Sequence, residues 1–277
     1  MTTTALPTFD TIRLDLQGTV AVITLNRPQR LNAAPPQMFD DIRAALQQLP
    51  AMGARALLIT GEGRAFCSGA DLQSRAEAGA NTSADTPAET RGARTFRSLT
   101  QHYSPTMLAL SQLGIPVVTA VNGVAAGIGC SLALAGDFVL AARSAYFLEA
   151  FVNIGLVPDG GATWMLARQV GKARATEMIM LGERIPAEKA ESWGLIYQAV
   201  DDADLMPQAM ALAERLANGP TRALGMMRQG LARALAQSYE EALATEAAHQ
   251  SLAADSADAA EGGKAFLERR KPAFKGL

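Results

Sequence analysis

The stretch Pro116–Asp137, with the sequence PVVTAVNGVAAGIGCSLALAGD, carries the strongest structural signal in the chain. Its first six residues form an apolar run that ends at Asn122-Gly123, which predicts a buried strand followed by a turn. Gly127 and Gly129 come next, and small and apolar residues then predict a buried helix. A strand, a glycine turn and a helix in this order leave backbone N–H groups unbonded where the helix begins. Such groups suit an anion, or an oxygen atom that becomes negatively charged during a reaction.

A second unit of the same kind precedes this stretch. Phe66–Leu72, with the sequence FCSGADL, also predicts a short strand, a glycine turn and the first residues of a helix. Two interpretations remain open for both glycine motifs. Either each glycine forms a tight turn that lets a helix pack on a strand, or the two units together bind one oxygen atom.

The composition is that of an ordinary globular protein and excludes several classes of partner. Of the 277 residues, 49% are hydrophobic and 19% are charged, and the net charge is −2. This charge argues against nucleic acid or an anionic membrane as the main partner. No apolar run reaches the roughly 18 residues of a spanning helix, and the N-terminus has no signal-peptide pattern. We therefore expect a cytoplasmic protein.

The scarcity of histidine and cysteine limits the possible chemistry. His102 and His249 are the two histidines of the sequence, and we expect both to face solvent. Cys67 and Cys130 have no metal-type spacing, so we expect reduced thiols and no metal site. A Ser-His-Asp or Cys-His mechanism is therefore poorly supported, and proton transfer must rely on carboxylates, the backbone or water.

Along the chain, the pattern predicts an α/β core over residues 1–202 and a helical region over 203–277. A hairpin is expected around Gln17-Gly18, and further strands at about 54–60, 116–121, 137–142, 145–148 and 195–200. The C-terminal helices are expected to break at 218–220 and around 253–256. The polar segment 74–91 shows no apolar face, so it is either a mobile lid or an insertion without a function.

Five segments in the right order resemble the crotonase (enoyl-CoA hydratase/isomerase) superfamily. They are ITLNRPQRLNA (23–33), GRAFCSGADL (63–72), AVNGVAAGIGCSLALAGD (120–137), FVNIGLVPDGG (151–161) and EGGKAFLERRKPAFKG (261–276). The resemblance covers essentially the whole chain. It implies a spiral of ββα turns followed by a helical trimerisation region, with homotrimers or hexamers built as dimers of trimers. It also implies an acyl-CoA thioester as the partner, with CoA as part of the substrate and no other cofactor.

Two backbone N–H groups of this family form an oxyanion hole that stabilises a thioester enolate. Carried over to this sequence, they belong to Ala70 and Ile128. Each such donor contributes on the order of 3 kcal/mol to the stability of a transition state. Glycine is more usual than Ile128 at its position, so this larger side chain must find room.

The acid/base residues depart from those of the hydratase branch. That branch has two glutamates, which align with Ser131 and Phe151 here, so hydration of a 2-enoyl-CoA is in doubt. Asp159 instead resembles the aspartate that some isomerases and dehalogenases use in this turn. The phrase AFVNIGLVPDGGATW is most similar to the ring-opening isomerases of phenylacetate breakdown, which act on 2-(1,2-epoxy-1,2-dihydrophenyl)acetyl-CoA. The other interpretation of Asp159 is a helix N-cap.

Further site residues follow from the same resemblance. Glu149 is a second nearby acid, but its place on an extended piece suggests that it points elsewhere. Phe151 is expected to line the acyl pocket or to pack in the core. The expected substrate and CoA contacts are Arg30, Ala33, Ala70, Asp71, Leu72, Gln73, Phe151, Phe266 and Arg269. The residues Ala34-Pro35-Pro36 depart from the family, which usually has a large apolar residue after LNA.

The sequence thus predicts an acyl-CoA isomerase that shifts a double bond or rearranges a ring or epoxide, with Asp159, Ala70 and Ile128 as its catalytic groups. One alternative is an enoyl-CoA hydratase with atypical acid/base residues, for example Glu149 with Asp159. Another is an acyl-CoA-binding homologue without catalysis.

Overall fold

The structure of the chain is a computed structural model that describes residues 7–72 and 89–277. Its ten strands are β1 (Ile12–Gln17), β2 (Val20–Leu25), β3 (Ala56–Gly61), β4 (Ala65–Cys67), β5 (Val117–Val121), β6 (Val124–Ala126), β7 (Phe138–Ala142), β8 (Tyr146–Leu148), β9 (Ile185–Pro186) and β10 (Gln198–Val200). The predicted segment 74–91 falls mostly outside the described residues.

The helices of the described residues alternate with these strands and then dominate the C-terminal quarter. They are α1 (Pro36–Gln48), α2 (Arg91–Ser98), α3 (Ser104–Ser111), α4 (Ile128–Leu134), α5 (Ala162–Gln169), α6 (Gly171–Leu181), α7 (Ala187–Ser192), α8 (Leu205–Ala217), α9 (Thr221–Ala234), α10 (Tyr239–Ala254) and α11 (Ala257–Leu267). A π-helical turn, Leu99–Tyr103, joins α2 to α3, so the two form one continuous helix that is wider and underwound at the junction.

Three successive strand pairs build two sheets. The first member of each pair, β3, β5 and β7, enters a six-stranded sheet of order β1-β2-β3-β5-β7-β10. The second member, β4, β6 and β8, enters a four-stranded sheet of order β4-β6-β8-β9. Apart from the β1–β2 hairpin and the β8–β9 pair, the strands are parallel. Each turn of the chain therefore adds one strand to both sheets, which is the predicted spiral of ββα turns.

Burial explains why the central strands form. All residues of β2 and β5, and five of the six in β3, are buried, as expected for parallel strands covered on both faces. Helix α8 covers β3, β5 and β7 with Ala209, Ala213 and Ala217, whose small side chains allow close packing. Helix α8 begins just after residue 202, and the predicted division at this residue stays a prediction.

Three details differ from the expectations drawn from the sequence. Strand β6 lies within GVAAGIG, where the small residues gave no strand pattern; its pairing with β4 and β8 supplies the stability that the residues lack. The C-terminal helices also break between Ala234 and Tyr239, where Ser238 caps α10. His102 does not simply face solvent, because its Nδ1 lies 2.6 Å from Asp40 Oδ2.

Within the described residues, no helix is long and apolar enough to cross a bilayer. The same part of the chain holds no group of three or more histidine, cysteine or acidic residues placed to bind a metal ion.

Candidate active site

The two glycine turns predicted from the sequence lie against each other. Strands β4 and β6 are parallel neighbours, so the turns that follow them leave the same edge of the small sheet. A Cβ atom added to Gly129 would lie 2.4 Å from the Cys67 carbonyl oxygen, and one added to Gly69 would lie 3.1 Å from the Ala126 oxygen. These separations are those of backbone in direct contact. The glycines therefore bring two turns together, which is more than a single tight turn requires.

The backbone donors at these turns have few protein acceptors. Ile128 is the first residue of α4, and the N–H groups of Cys130 and Ser131 already donate to the Gly127 oxygen. Beside Ala70, the Ala34 N–H donates to the Gly69 oxygen and the Asp71 N–H donates to the Ala34 oxygen. Among the described residues, neither the Ala70 N–H nor the Ile128 N–H donates to a backbone acceptor. Both can therefore donate to a ligand oxygen.

The Ile128 side chain finds its room against a glycine. It is almost fully buried, and a Cβ atom added to Gly160 would lie 2.4 Å from Ile128 Cδ1. Gly160 also has a φ of 63°, in the left-handed region. Because Gly160 has no side chain, the Pro158-Asp159-Gly160-Gly161 turn leaves space for Ile128 on α4.

Asp159 lies at this turn and is not a helix cap. The N-cap of α5 is Gly161, and no side chain caps this helix. The capping interpretation of Asp159 is therefore wrong. Instead, the Ser131 hydroxyl donates to the Asp159 carbonyl oxygen at 2.9 Å, which holds the turn against α4. Asp159 is half-buried beside the helix whose first N–H belongs to Ile128.

The side-chain position of Glu149 was predicted less well from the sequence than that of any other candidate site residue. The expectation that it points elsewhere is wrong, because its side chain is fully buried and acts electrostatically on the same site. Burial raises its pKa to about 7; hydrogen bonding by the Cys130 thiol lowers this pKa, and the negative charge of Asp159 raises it. Its sequence signal was one acid at the end of a three-residue strand, too short to fix a direction.

Phe151 packs over the glycine turn. It is 8% exposed, and its ring would lie 3.6 Å from a Cβ atom at Gly127. The ring is therefore packed in the interior beside the turn that precedes Ile128, and the lining of an acyl pocket by Phe151 stays a prediction. Gly127 has a φ of 53°, which favours glycine.

The loop 27–33 is fixed by an ion pair that the sequence did not reveal. Arg27 Nη1 lies 2.9 Å from Asp71 Oδ2 and donates to the Ala33 oxygen. Asn32 is buried and left-handed, and its amide donates to the Glu62 and Ala65 oxygens. The loop is thereby attached to the segment that carries Ala70. The motif NRPQRLNA matched the family, but only the fold shows which of its side chains hold the loop.

The remaining residues that were predicted to contact the substrate or CoA do not all lie at this site. Arg30 and Leu72 are exposed, Ala33 is half-buried, and Gln73 falls outside the described residues. Phe266 and Arg269 are exposed at the C-terminal end, where α11 packs on α10. Their assignment to CoA stays a prediction.

The two cysteines are structural in this setting. Burial raises the pKa of Cys67 to about 11, and burial together with Glu149 raises the pKa of Cys130 well above its ordinary value. Thiols with such pKa values are inert at neutral pH.

Comparison with known proteins connects this geometry to a family. The family model for enoyl-CoA hydratase/isomerase matches residues 15–277. The chain belongs to the enoyl-CoA hydratase/isomerase family. A 1,2-epoxyphenylacetyl-CoA isomerase from Escherichia coli (strain K12) is 44% identical over 258 residues, which are 93% of this chain and 95% of that protein. A protein from Rhodobacter capsulatus named probable enoyl-CoA hydratase is also 44% identical, over 97% of this chain and 99% of its own.

Solved structures of the enoyl-CoA hydratase/isomerase family confirm the crotonase fold. The enoyl-CoA hydratase from Polaromonas sp. JS666 is 32% identical and gives a TM-score of 0.86, with 95% of this chain and 99% of that chain covered. The enoyl-CoA hydratase from Bacillus anthracis gives a TM-score of 0.86 at 29% identity, covering 97% of this chain and 100% of that chain. The chain is thus an enzyme of the enoyl-CoA hydratase/isomerase type. Two relatives at 44% identity carry the names of an isomerase and a probable hydratase. Family membership therefore does not decide whether this chain catalyses isomerisation or hydration.

Proposed function

We propose that this enzyme is an acyl-CoA isomerase in which Asp159 moves a proton while Ala70 and Ile128 hold the thioester oxygen. One observation carries the proposal. The turn with Asp159 is bound through its carbonyl to Ser131 of α4, the helix whose first N–H is that of Ile128. The carboxyl group and one oxyanion donor therefore belong to one packed unit, and the Gly129–Cys67 contact adds the turn of Ala70.

For a double-bond shift, this arrangement supports a simple sequence of bond changes. The Asp159 carboxylate removes a proton from C2 of a 3-enoyl thioester, and the electron pair moves onto the thioester oxygen. The N–H groups of Ala70 and Ile128 donate to that oxygen and stabilise its negative charge. The protonated Asp159 then returns the proton to C4, which leaves the conjugated 2-enoyl thioester. One carboxyl group is sufficient, because the same proton is removed and returned.

The packing around Ser131 and Phe151 supports isomerisation over hydration in the manner of the hydratase branch. Ser131 hydrogen-bonds the backbone of the Asp159 turn, and Phe151 fills space over Gly127. Neither can take a proton from water. The apolar and exposed side chains of Leu156, Val157 and Trp164, near Asp159 in the chain, suit an apolar acyl group.

The binding of CoA follows as part of the same proposal. The loop 27–33 and the segment 70–73 would flank the CoA moiety and the thioester, and Phe266 and Arg269 would cover it, from the same or a neighbouring subunit. The substrate brings CoA with it and the reaction needs no other cofactor. A homotrimer, or a hexamer of two trimers, is the proposed assembly.

The test is isomerase activity with and without the Asp159 carboxyl group. Purified wild type, Asp159→Asn and Asp159→Ala are incubated with a 3-enoyl-CoA, a 2-enoyl-CoA and an epoxyphenylacetyl-CoA, and the products are separated by chromatography. Loss of a general base lowers kcat by about a hundredfold to ten thousandfold. We expect losses of that size in both variants. Asp15→Asn, an acid-to-amide change at an exposed position of β1, is the matched control and should retain full activity.

Two outcomes would contradict the proposal. Water addition to 2-enoyl-CoA that survives the loss of Asp159 would show that other groups do the chemistry. Tight thioester binding by wild type without turnover of any of the three substrates would show an acyl-CoA-binding protein.

Hydration is the second candidate function, and Glu149 is the observation that favours it. A buried carboxyl group with a pKa of about 7 beside Asp159 gives the site two acids, which a hydratase uses to activate and protonate water. Formation of 3-hydroxyacyl-CoA that is lost in both Glu149→Gln and Asp159→Asn would favour this second candidate.

A further inference from the structure

The environment of the Glu149 side chain is not explained by the proposed proton transfer, which requires Asp159 alone. The Glu149 side chain is 0% exposed, and among the described residues neither carboxylate oxygen accepts a hydrogen bond of good geometry. The Cys130 thiol, a weak donor, is the hydrogen-bonding group that acts on it. A carboxyl group buried in this way is costly in its ionised form, and each such group requires a reason.

The place of Glu149 in the fold ties it to the candidate site. It directly follows β8, whose Leu148 carbonyl accepts the N–H of Gly127 at 2.8 Å. Consecutive residues of α4 interact with the two acids. The Cys130 thiol hydrogen-bonds to the Glu149 side chain, and the Ser131 hydroxyl donates to the Asp159 carbonyl oxygen. Glu149 and Asp159 therefore lie next to consecutive residues of one helical turn, which begins with Ile128.

The titratable groups around Glu149 are few. Cys130 on α4 and Asp159 in the turn before α5 act on it electrostatically. The strands β6 and β9, which flank β8, carry no titratable side chain. Within the described residues, no basic side chain offsets its charge. Asp159 is therefore the neighbour through which the ionisation of Glu149 acts on the reaction.

We propose that Glu149 is a positioning residue for the isomerase reaction, which sets the proton affinity of Asp159 by changing its own charge. This inference rests on the proposed function of Asp159. Coupling between two sites is reciprocal, so the effect of the Asp159 charge on Glu149 is matched by an equal effect of the Glu149 charge on Asp159. While Glu149 holds its proton, Asp159 is the weaker base. Once Glu149 ionises, the second negative charge makes Asp159 a stronger base, and proton removal from C2 becomes faster.

The test measures proton removal directly as a function of pH. A saturated acyl-CoA is incubated with the enzyme in D₂O, and nuclear magnetic resonance follows exchange of the C2 protons for deuterium. For wild type, we expect the exchange rate to rise by about threefold to tenfold between about pH 6 and about pH 8. In Glu149→Gln the rate should stay flat at the acid-side value of wild type, with unchanged KM for isomerisation.

A matched control and a second variant keep the outcomes separate. Glu214→Gln, on the exposed face of α8, should keep the wild-type profile. Glu149→Asp restores an ionisable group and should restore part of the rise, which a purely structural role would not do. A folded Glu149→Gln that keeps the rise, or that loses exchange at every pH, overturns the inference. If Asp159→Asn retains exchange, the proposed function of Asp159 itself fails, so the two failures are distinguishable.

Discussion

At the scale of the residue, Glu149 also couples the stability of the fold to pH. Burial raises its pKa from 4.5 to about 7, so the folded state holds this proton more tightly than the unfolded state does. The resulting stabilisation is complete below about pH 4.5 and is lost as the pH rises through about 7. Its full size is about 3 kcal/mol at 1.36 kcal/mol per pKa unit.

We therefore predict a pH-dependent difference between wild type and Glu149→Gln. Between about pH 5 and about pH 8, the free energy of unfolding of wild type should fall by up to about 3 kcal/mol more than that of the variant. Urea unfolding followed by circular dichroism at each pH measures both. Glu214→Gln should follow wild type. Parallel curves for wild type and Glu149→Gln would show that the buried carboxyl group does not change its charge over this range.

The sequence could indicate candidate site residues where a motif surrounds them, and only there. Ala70, Ile128 and Asp159 lie within glycine-rich segments whose spacing is informative, and the structure brings their turns together. Arg27 and Glu149 act through partners outside their own segments, Asp71 for Arg27 and Cys130 with Asp159 for Glu149. Such partners depend on the packing of separate turns of the spiral, which no local pattern contains.

At the scale of the element, the candidate oxyanion hole depends on contact between β4 and the start of α4. Gly129 has no room for a side chain, because an added Cβ would lie 2.4 Å from the Cys67 carbonyl oxygen and 2.8 Å from its Sγ. A backbone atom cannot rotate away as a side chain can. Any larger residue at 129 therefore separates the turn of Ala70 from that of Ile128.

For Gly129→Ala, we predict a loss of about 1 to 3 kcal/mol in the free energy of unfolding, as in other overpacked cores. The isomerase kcat should fall at least tenfold in the fraction that folds, because the two donors no longer meet one oxygen. Gly263→Ala is the control: it is also helical, its added Cβ has no neighbour within 4 Å, and alanine favours the helix by up to about 1 kcal/mol. Normal stability and activity in Gly129→Ala would contradict the proposed contact.

Helices and strands differ in how well their own sequences predict them. Strands β3 and β5 are apolar runs and were predicted, since parallel strands buried on both faces need such residues. Strand β6 consists of Val124, Ala125 and Ala126 and was missed, because its partners β4 and β8 hold it in place rather than its own propensity.

At the scale of the whole molecule, Arg228 joins the C-terminal helices to the spiral core. Its Nε lies 2.7 Å from both carboxylate oxygens of Asp137, and its Nη1 donates to the Ser111 and Leu113 oxygens. Its side chain is only 8% exposed. Burial raises the pKa of Asp137, while the charge of Arg228 and a hydrogen bond from the Val117 N–H lower it. Helix α9 is thus attached to the strands β5 and β7 through one buried guanidinium group.

Arg228→Ala should therefore destabilise the whole molecule by about 1 to 3 kcal/mol, because it leaves the partly buried Asp137 carboxylate without its cation and the Ser111 and Leu113 carbonyl oxygens without their donor. The defect should shrink towards about pH 4, since without the cation Asp137 takes up a proton more readily and the uncompensated charge is removed. Hydrogen exchange followed by mass spectrometry should show the largest loss of protection in α9 and α10. Arg222→Ala, an exposed change on the same helix, is the matched control. If both variants unfold at the same urea concentration, the guanidinium–carboxylate pair does not hold the helical region to the core, and the apolar faces of α8 and α9 must do so alone.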